Sequence, residues 1–124
     1  LKNDRPVLRS DGSYTRDWVY VEDVSNAYSK VALNILEGEK VSNFYNFSSK
    51  EYFSVMDIYN ELCLLIHGEI VEPIYEINSE FEIKDQQLDS SKILNELNIE
   101  ASESLSSGLK KTINWYENFL NHNE

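Results

Sequence analysis

The β-prone runs in this 124-residue chain are only three to five residues long, and two of the stretches separating them, with a third after the last, carry helical periodicity over a dozen residues or more. Such a chain builds short strands between amphipathic helices, and its strands are too short to make a sheet with a core of its own. Val24, Ala27, Tyr28, Val31, Ala32, Ile35 and Leu36 recur at i, i+3, i+4, i+7, i+8, i+11 and i+12. That spacing predicts a helix from about Glu22 with one broad apolar face, capped by Asp23 or by Asp17 before it, and closed near Gly38. A second helix is expected after Ser54. There Ser54 as N-cap places Asp57 at N3, Phe53 and Ile58 occupy the staple positions, and Gly68 ends the helix. Asp89-Ser90-Ser91 reads as the start of a short helix with Ile93, Leu94 and Leu97 inward. A last helix is expected from about Ser104 to Leu120, with Gly108 marking a close approach. The strands expected are Pro6–Arg9, Asp17–Val21, a buried Asn43–Phe47 and an edge strand at Pro73–Tyr75. The resulting fold class is α/β, with short strands alternating with amphipathic helices. Eight Tyr, five Phe and two Trp are more aromatic surface than so thin a sheet covers, so the chain reads as part of a larger α/β protein.

Charge narrows the partners. Eleven Lys and Arg against 22 Asp and Glu give a net charge of −11, which disfavours nucleic acid and anionic membranes. No apolar run approaches the ~20 residues of a membrane span, and the N-terminus lacks a secretory signal's apolar stretch. With a single cysteine, Cys63, a soluble cytoplasmic protein is the expectation. All three arginines (Arg5, Arg9 and Arg16) lie in the first 16 residues, and with Lys2, Asp4 and Asp11 they make that segment net positive. A small anion has one natural place on this chain.

Catalytic groups are scarce. Cys63 and His67 are four residues apart on the second helix, which is better read as a core thiol and a helix-end histidine than as metal ligands. The glycines at 12, 38, 68 and 108 write no phosphate-cradling loop, and no nucleophile pairs with a base. Glu69, Glu72, Glu76, Glu80 and Glu82 read as a solvated acidic face. Neither a catalytic residue nor a metal site is expected on the chain.

Four segments, taken in order, carry a family resemblance. Residues 5–23 read Arg-Pro-Val-Leu-Arg-Ser-Asp-Gly-Ser-Tyr-Thr-Arg-Asp-Trp-Val-Tyr-Val-Glu-Asp. They are followed by Tyr45-Asn46-Phe47-Ser48, by Asp89-Ser90-Ser91-Lys92, and by Leu105-Ser106-Ser107-Gly108-Leu109 with Trp115-Tyr116. This series resembles the C-terminal half of the nucleotide-sugar epimerases and 4,6-dehydratases of the extended short-chain dehydrogenase/reductase family. Within that family it is most similar to the CDP-glucose 4,6-dehydratase branch. The resemblance implies a C-terminal fragment of an NAD(P)-binding Rossmann-type nucleotide-sugar enzyme, with residues 1–124 forming a single substrate-binding portion. The Rossmann half, with its glycine loop and Tyr-x-x-x-Lys pair, is absent here. NAD or NADP would be bound by that missing half and not by this chain, which alone would be inactive.

The resemblance also implies site residues. Arg16 matches the family arginine on the substrate diphosphate, where a guanidinium pairs with phosphate oxygens through two parallel bonds. Pro6, Val7 and Arg9 fall on the segment that lines the nucleobase pocket. Lys84 is the nearest basic residue to a second phosphate-binding position. The implied partners are a nucleotide diphosphate sugar, the N-terminal half of the same enzyme, and further copies in a homo-oligomer. Without the family, Arg16 reads as a surface arginine paired with Asp17 or Asp11. The alternative function is then a non-catalytic acidic protein-interaction module.

Overall fold

The computed structural model describes residues 5–77 and 83–122. Lys2, Asp4, Glu80 and Glu82 of the readings above lie outside the described residues. The order is β1 (Val7–Leu8), β2 (Thr15–Asp17), α1 (Val21–Leu36), β3 (Tyr52–Ser54), α2 (Val55–His67), β4 (Ile74–Tyr75), α3 (Ser91–Leu97) and α4 (Leu105–Asn121). β1 pairs in parallel with β4, Val7 opposite Ile74 and Leu8 opposite Tyr75, and β2 pairs with β3. The chain forms two compact units. The first holds Leu1–Arg16, Phe53–Gln86 and Ser106–Glu124, and the second Asp17–Tyr52 and Gln87–Leu105.

In the first unit α2 starts as expected. Ser54 Oγ accepts from the Asp57 N–H at 3.0 Å, and the Asp57 carboxylate accepts from the Ser54 N–H at 2.9 Å, a closed capping box. Such a cap contributes about 1 kcal/mol. Gly68 ends the helix at φ 75°, where a side chain would be strained. Ile58, Tyr59 and Cys63 are buried, and the Tyr59 hydroxyl donates to the Val71 carbonyl. Burial first, then the neighbouring Cys63, pushes the Tyr59 phenol up to about 12. Gly108 of α4 is buried, in keeping with the close approach read from sequence. Trp115 stacks on Phe119 at 5.1 Å and meets Tyr116 edge-on at 4.9 Å, so these three exposed rings cover one another in part.

The second unit packs Ala27, Ile93 and Ile99, with Val31, Tyr45, Phe47 and Leu97 around them. Four sequence readings need correction here. Asp17–Val21 is not one strand, since β2 ends at Asp17 and Val21 opens α1. Residues 43–47 form no strand: Phe44 is 76% exposed, and the segment is held through side chains. The Tyr45 hydroxyl accepts from the Ser42 N–H at 2.8 Å and donates to Glu96 at 2.8 Å. Lys92 Nζ donates to the Phe44 carbonyl at 3.2 Å. The periodic face of α1 is only partly covered as well. Ala27 is buried, whereas Tyr28 and Leu36 are 76% and 81% exposed, because the face is wider than the core of this unit. Finally, neither Asp17 nor Asp23 caps α1, whose N-cap is Tyr20. Asp23 is buried and accepts from the Ser102 N–H at 3.2 Å, the Ser102 hydroxyl at 2.8 Å and the Glu103 N–H at 3.0 Å. Asp17 Oδ1 accepts from the Ser49 N–H and hydroxyl, both at 3.2 Å.

Lys50 sits at φ 62°, a left-handed conformation that its Cβ opposes, with its N–H held by Ser48 Oγ at 2.9 Å. Relief of that strain exceeds the extra chain entropy of glycine. Lys50→Gly is therefore expected to stabilise by about 0.5–1 kcal/mol and Lys50→Ile to destabilise. Urea midpoints of the two variants check this.

Four carboxylates are held below their ordinary range by donated hydrogen bonds. The donors are the Ser54 hydroxyl then N–H for Asp57, the Ser13 hydroxyl then N–H for Asp11, the Ser91 N–H then hydroxyl for Asp89, and the Tyr45 then Ser42 hydroxyls for Glu96. Because the folded values are lowered, the unfolded chain binds protons first on acidification. The contribution is complete above the usual carboxylate range near pH ~4 and is lost as pH falls through the lower folded values. The urea midpoint is expected to be flat from neutral pH down to about 5 and to fall below about 4, with a shallower fall in Asp57→Asn.

Candidate functional site

A tight turn delivers Arg16. Ser10 Oγ accepts from the Gly12 N–H at 3.2 Å, and Asp11 Oδ1 accepts from the Ser13 N–H at 2.9 Å and the Ser13 hydroxyl at 2.6 Å. Gly12 lies at φ 78°, and a Cβ there would come within 3.0 Å of Met56 Cε and 3.1 Å of Met56 Cβ. Conformation and space both demand glycine. The first turn of α2 has N–H groups with no partner inside the helix. Two of them meet this turn, Met56 on the Gly12 carbonyl at 2.9 Å and Val55 on the Tyr14 carbonyl at 3.1 Å. The turn is thereby anchored to the best-capped helix of the chain.

The residues after the turn are fixed from a distant part of the sequence. The Thr15 N–H donates to the Lys84 carbonyl at 2.9 Å, the Gln86 N–H donates to the Thr15 carbonyl at 3.2 Å, and Thr15 faces Asp85 in a parallel bridge. The Thr15 hydroxyl adds a bond to Asp85 Oδ1 at 2.7 Å. On this frame Arg16 is half-buried. Its Nη1 donates to the Thr15 carbonyl at 2.8 Å and, at a longer 3.4 Å, to the Lys84 carbonyl, and its guanidinium lies 5.9 Å from the Tyr14 ring centroid. These backbone carbonyls orient the guanidinium.

Of the residues named from sequence, the Arg16 side chain meets the backbone of Lys84, 68 positions away. Pro6 and Val7 lie on the β1–β4 ladder, where the Ile74 N–H donates to the Pro6 carbonyl at 2.9 Å, and Arg9 follows β1 with its side chain exposed. Sequence reasoning missed three residues here. Arg5 clamps the Glu72 carbonyl through Nε at 3.1 Å and Nη2 at 3.0 Å. Thr15 and Asp85 form the latch just described, for which neither periodicity nor a motif gives a signal. The pairing of Cys63 and His67 as ligands gains nothing: among the described residues no group of three or more His, Cys, Asp or Glu is placed to hold a metal ion. Among the described residues no helix is long and apolar enough to cross a membrane.

Fold and site describe an α/β chain that presents a fixed guanidinium beside a lysine-bearing segment. Comparison with known proteins narrows that class. No family model matches the chain. The dTDP-glucose 4,6-dehydratase of Salmonella typhimurium is 30% identical over 113 residues, covering 85% of this chain and 30% of that protein. The UDP-glucose 4-epimerase of Thermotoga maritima, solved with UDP-glucose, superposes with a TM-score of 0.77 at 30% identity, over 94% of this chain and 36% of that one. The UDP-glucuronic acid 4-epimerase of Bacillus cereus, solved with UDP-glucuronic acid and NAD, gives a TM-score of 0.68 at 26% identity, over 85% and 33%. Over most of its length the chain is similar to nucleotide-sugar dehydratases and epimerases. It spans between 16% and 36% of the length of the curated relatives it matches.

Proposed function

We propose that the chain is the C-terminal, nucleotide-sugar-binding part of an NAD-dependent sugar-nucleotide 4,6-dehydratase or 4-epimerase, and that Arg16 takes the substrate diphosphate. The observation that carries this reading is the Arg16 guanidinium held on the Thr15 carbonyl at 2.8 Å, in a chain similar over 85% of its length to a dTDP-glucose 4,6-dehydratase and over 94% to a UDP-glucose 4-epimerase. A fork-shaped cation suits two adjacent phosphates, and Lys84, whose backbone carbonyl meets Arg16, would add a second positive charge. Pro6, Val7 and Arg9 would line the nucleobase end of the ligand. The nicotinamide, held by the remainder of the protein, would accept the hydride from the sugar. The work of this chain is to bind the nucleotide and hold the sugar still, and it contributes no acid, base or nucleophile. On this reading residues 1–124 act as one substrate-binding portion of an oligomeric enzyme.

The test is turnover by the full protein with NAD and UDP-, dTDP- or CDP-glucose, followed by mass and NMR analysis of the product. A 4-keto-6-deoxy sugar or a C4 epimer is expected from one of the three. Absence of both binding and turnover with all of them refutes the reading.

A further inference from the structure

We propose that Asp85 is a positioning residue for the Arg16 guanidinium, acting through Thr15. The inference deepens the diphosphate reading and rests on it. Asp85 lies on the segment whose Lys84 carbonyl meets Arg16 Nη1, and its Oδ1 accepts from the Thr15 hydroxyl at 2.7 Å. Two backbone bonds flank that side-chain bond, Thr15 N–H to Lys84 at 2.9 Å and Gln86 N–H to Thr15 at 3.2 Å. Together they set residues 84–86 alongside Thr15 in one register. Thr15 and Asp85 sit directly opposite each other in this bridge, so their side chains lock it. On the Asp85 side the bridge is an isolated one among the described residues. The Thr15 carbonyl, which accepts from Arg16 at 2.8 Å, is also the acceptor of the Gln86 N–H, so these two carbonyl contacts of the guanidinium both fall on bridged residues.

Charge makes the idea easy to separate from its rival. A carboxylate beside a diphosphate site repels the ligand, so if Asp85 acted only through its charge, removing it would tighten binding. A positioning role requires the opposite.

The experiment measures UDP and dTDP binding to the full protein by calorimetry at fixed salt, for Asp85→Ala, Asp85→Asn, Thr15→Val and Arg16→Ala, with Asp85→Ala also combined with Arg16→Ala. Asp85→Ala and Thr15→Val are each expected to weaken binding about 3- to 10-fold, the scale of one lost hydrogen bond. Asp85→Asn keeps an oxygen for the Thr15 hydroxyl and is expected to stay within about twofold. In the Arg16→Ala background, Asp85→Ala should add nothing, since the residue it positions is gone. Nitrogen NMR of the Arg16 guanidinium supplies a second readout. Restricted rotation with distinct Nη signals is expected in the parent and in Asp85→Asn, and averaged signals in Asp85→Ala. Tighter binding by Asp85→Ala, full additivity with Arg16→Ala, or unchanged Arg16 signals in Asp85→Ala each overturn the proposal. If Arg16→Ala leaves nucleotide affinity unchanged, the diphosphate reading falls instead, and the NMR comparison still decides whether Asp85 positions Arg16.

Discussion

Arg16→Ala in the full protein is expected to weaken nucleoside-diphosphate binding by about 10- to 150-fold, the largest loss from any single residue of this chain. A hydrogen bond to a charged group contributes ~1.5–3 kcal/mol, and one such bond to phosphate accounts for that range. Geometry supports the upper half. Nη1 is already committed to the Thr15 carbonyl at 2.8 Å, so little rotational freedom is lost when an anion arrives. Arg16→Lys should recover only part of the loss, because an ammonium reproduces neither the fork nor the carbonyl anchor. The affinity for NAD should barely move. Calorimetry with UDP and dTDP on the parent and both variants reads the result, and binding by Arg16→Ala within twofold of the parent would make Arg16 a surface arginine.

Asp23→Ala should produce the largest loss of stability, about 3 kcal/mol or more. Asp23 is 5% exposed, and its two oxygens accept three hydrogen bonds from Ser102 and Glu103. Alanine leaves those donors in a buried place without an acceptor, and an unmet donor costs more than the net value of the bond it made. Asp23→Asn keeps one acceptor oxygen and should fall between the parent and Asp23→Ala. Urea unfolding followed by fluorescence measures both, and a loss below about 1 kcal/mol for Asp23→Ala would show that water or a rearranged loop replaces the carboxylate. The effect belongs to the second unit and should leave nucleotide affinity within a few-fold of the parent, which separates it from the Arg16 result.

These residues also mark how far local sequence reaches. Ser54, Asp57 and Gly68 delimit α2 by themselves, because a cap is made between residues three apart and a left-handed helix end needs only a glycine. Arg16 stood out for a similar reason: it is one of three arginines confined to a short basic segment and sits in a compact motif after a glycine turn. Tertiary structure decided the rest. Asn43–Phe47 has strand composition but pairs with no strand among the described residues, and Tyr45 and Phe44 are instead held by Glu96 and Lys92, about fifty positions away. Asp23 satisfies every sequence rule for a helix cap, yet its carboxylate is claimed by residues 102–103, a pairing with no local trace. The apolar spacing of α1 states which residues share a face, but how much of that face is covered depends on what the core of the unit supplies, and Tyr28 and Leu36 stay in solvent. The same holds for the candidate site. Sequence by itself determined that Arg16 is the cation to watch; only the chain's return at residues 84–86 decided which carbonyls orient it, because a contact across 68 positions is set by the fold and not by spacing.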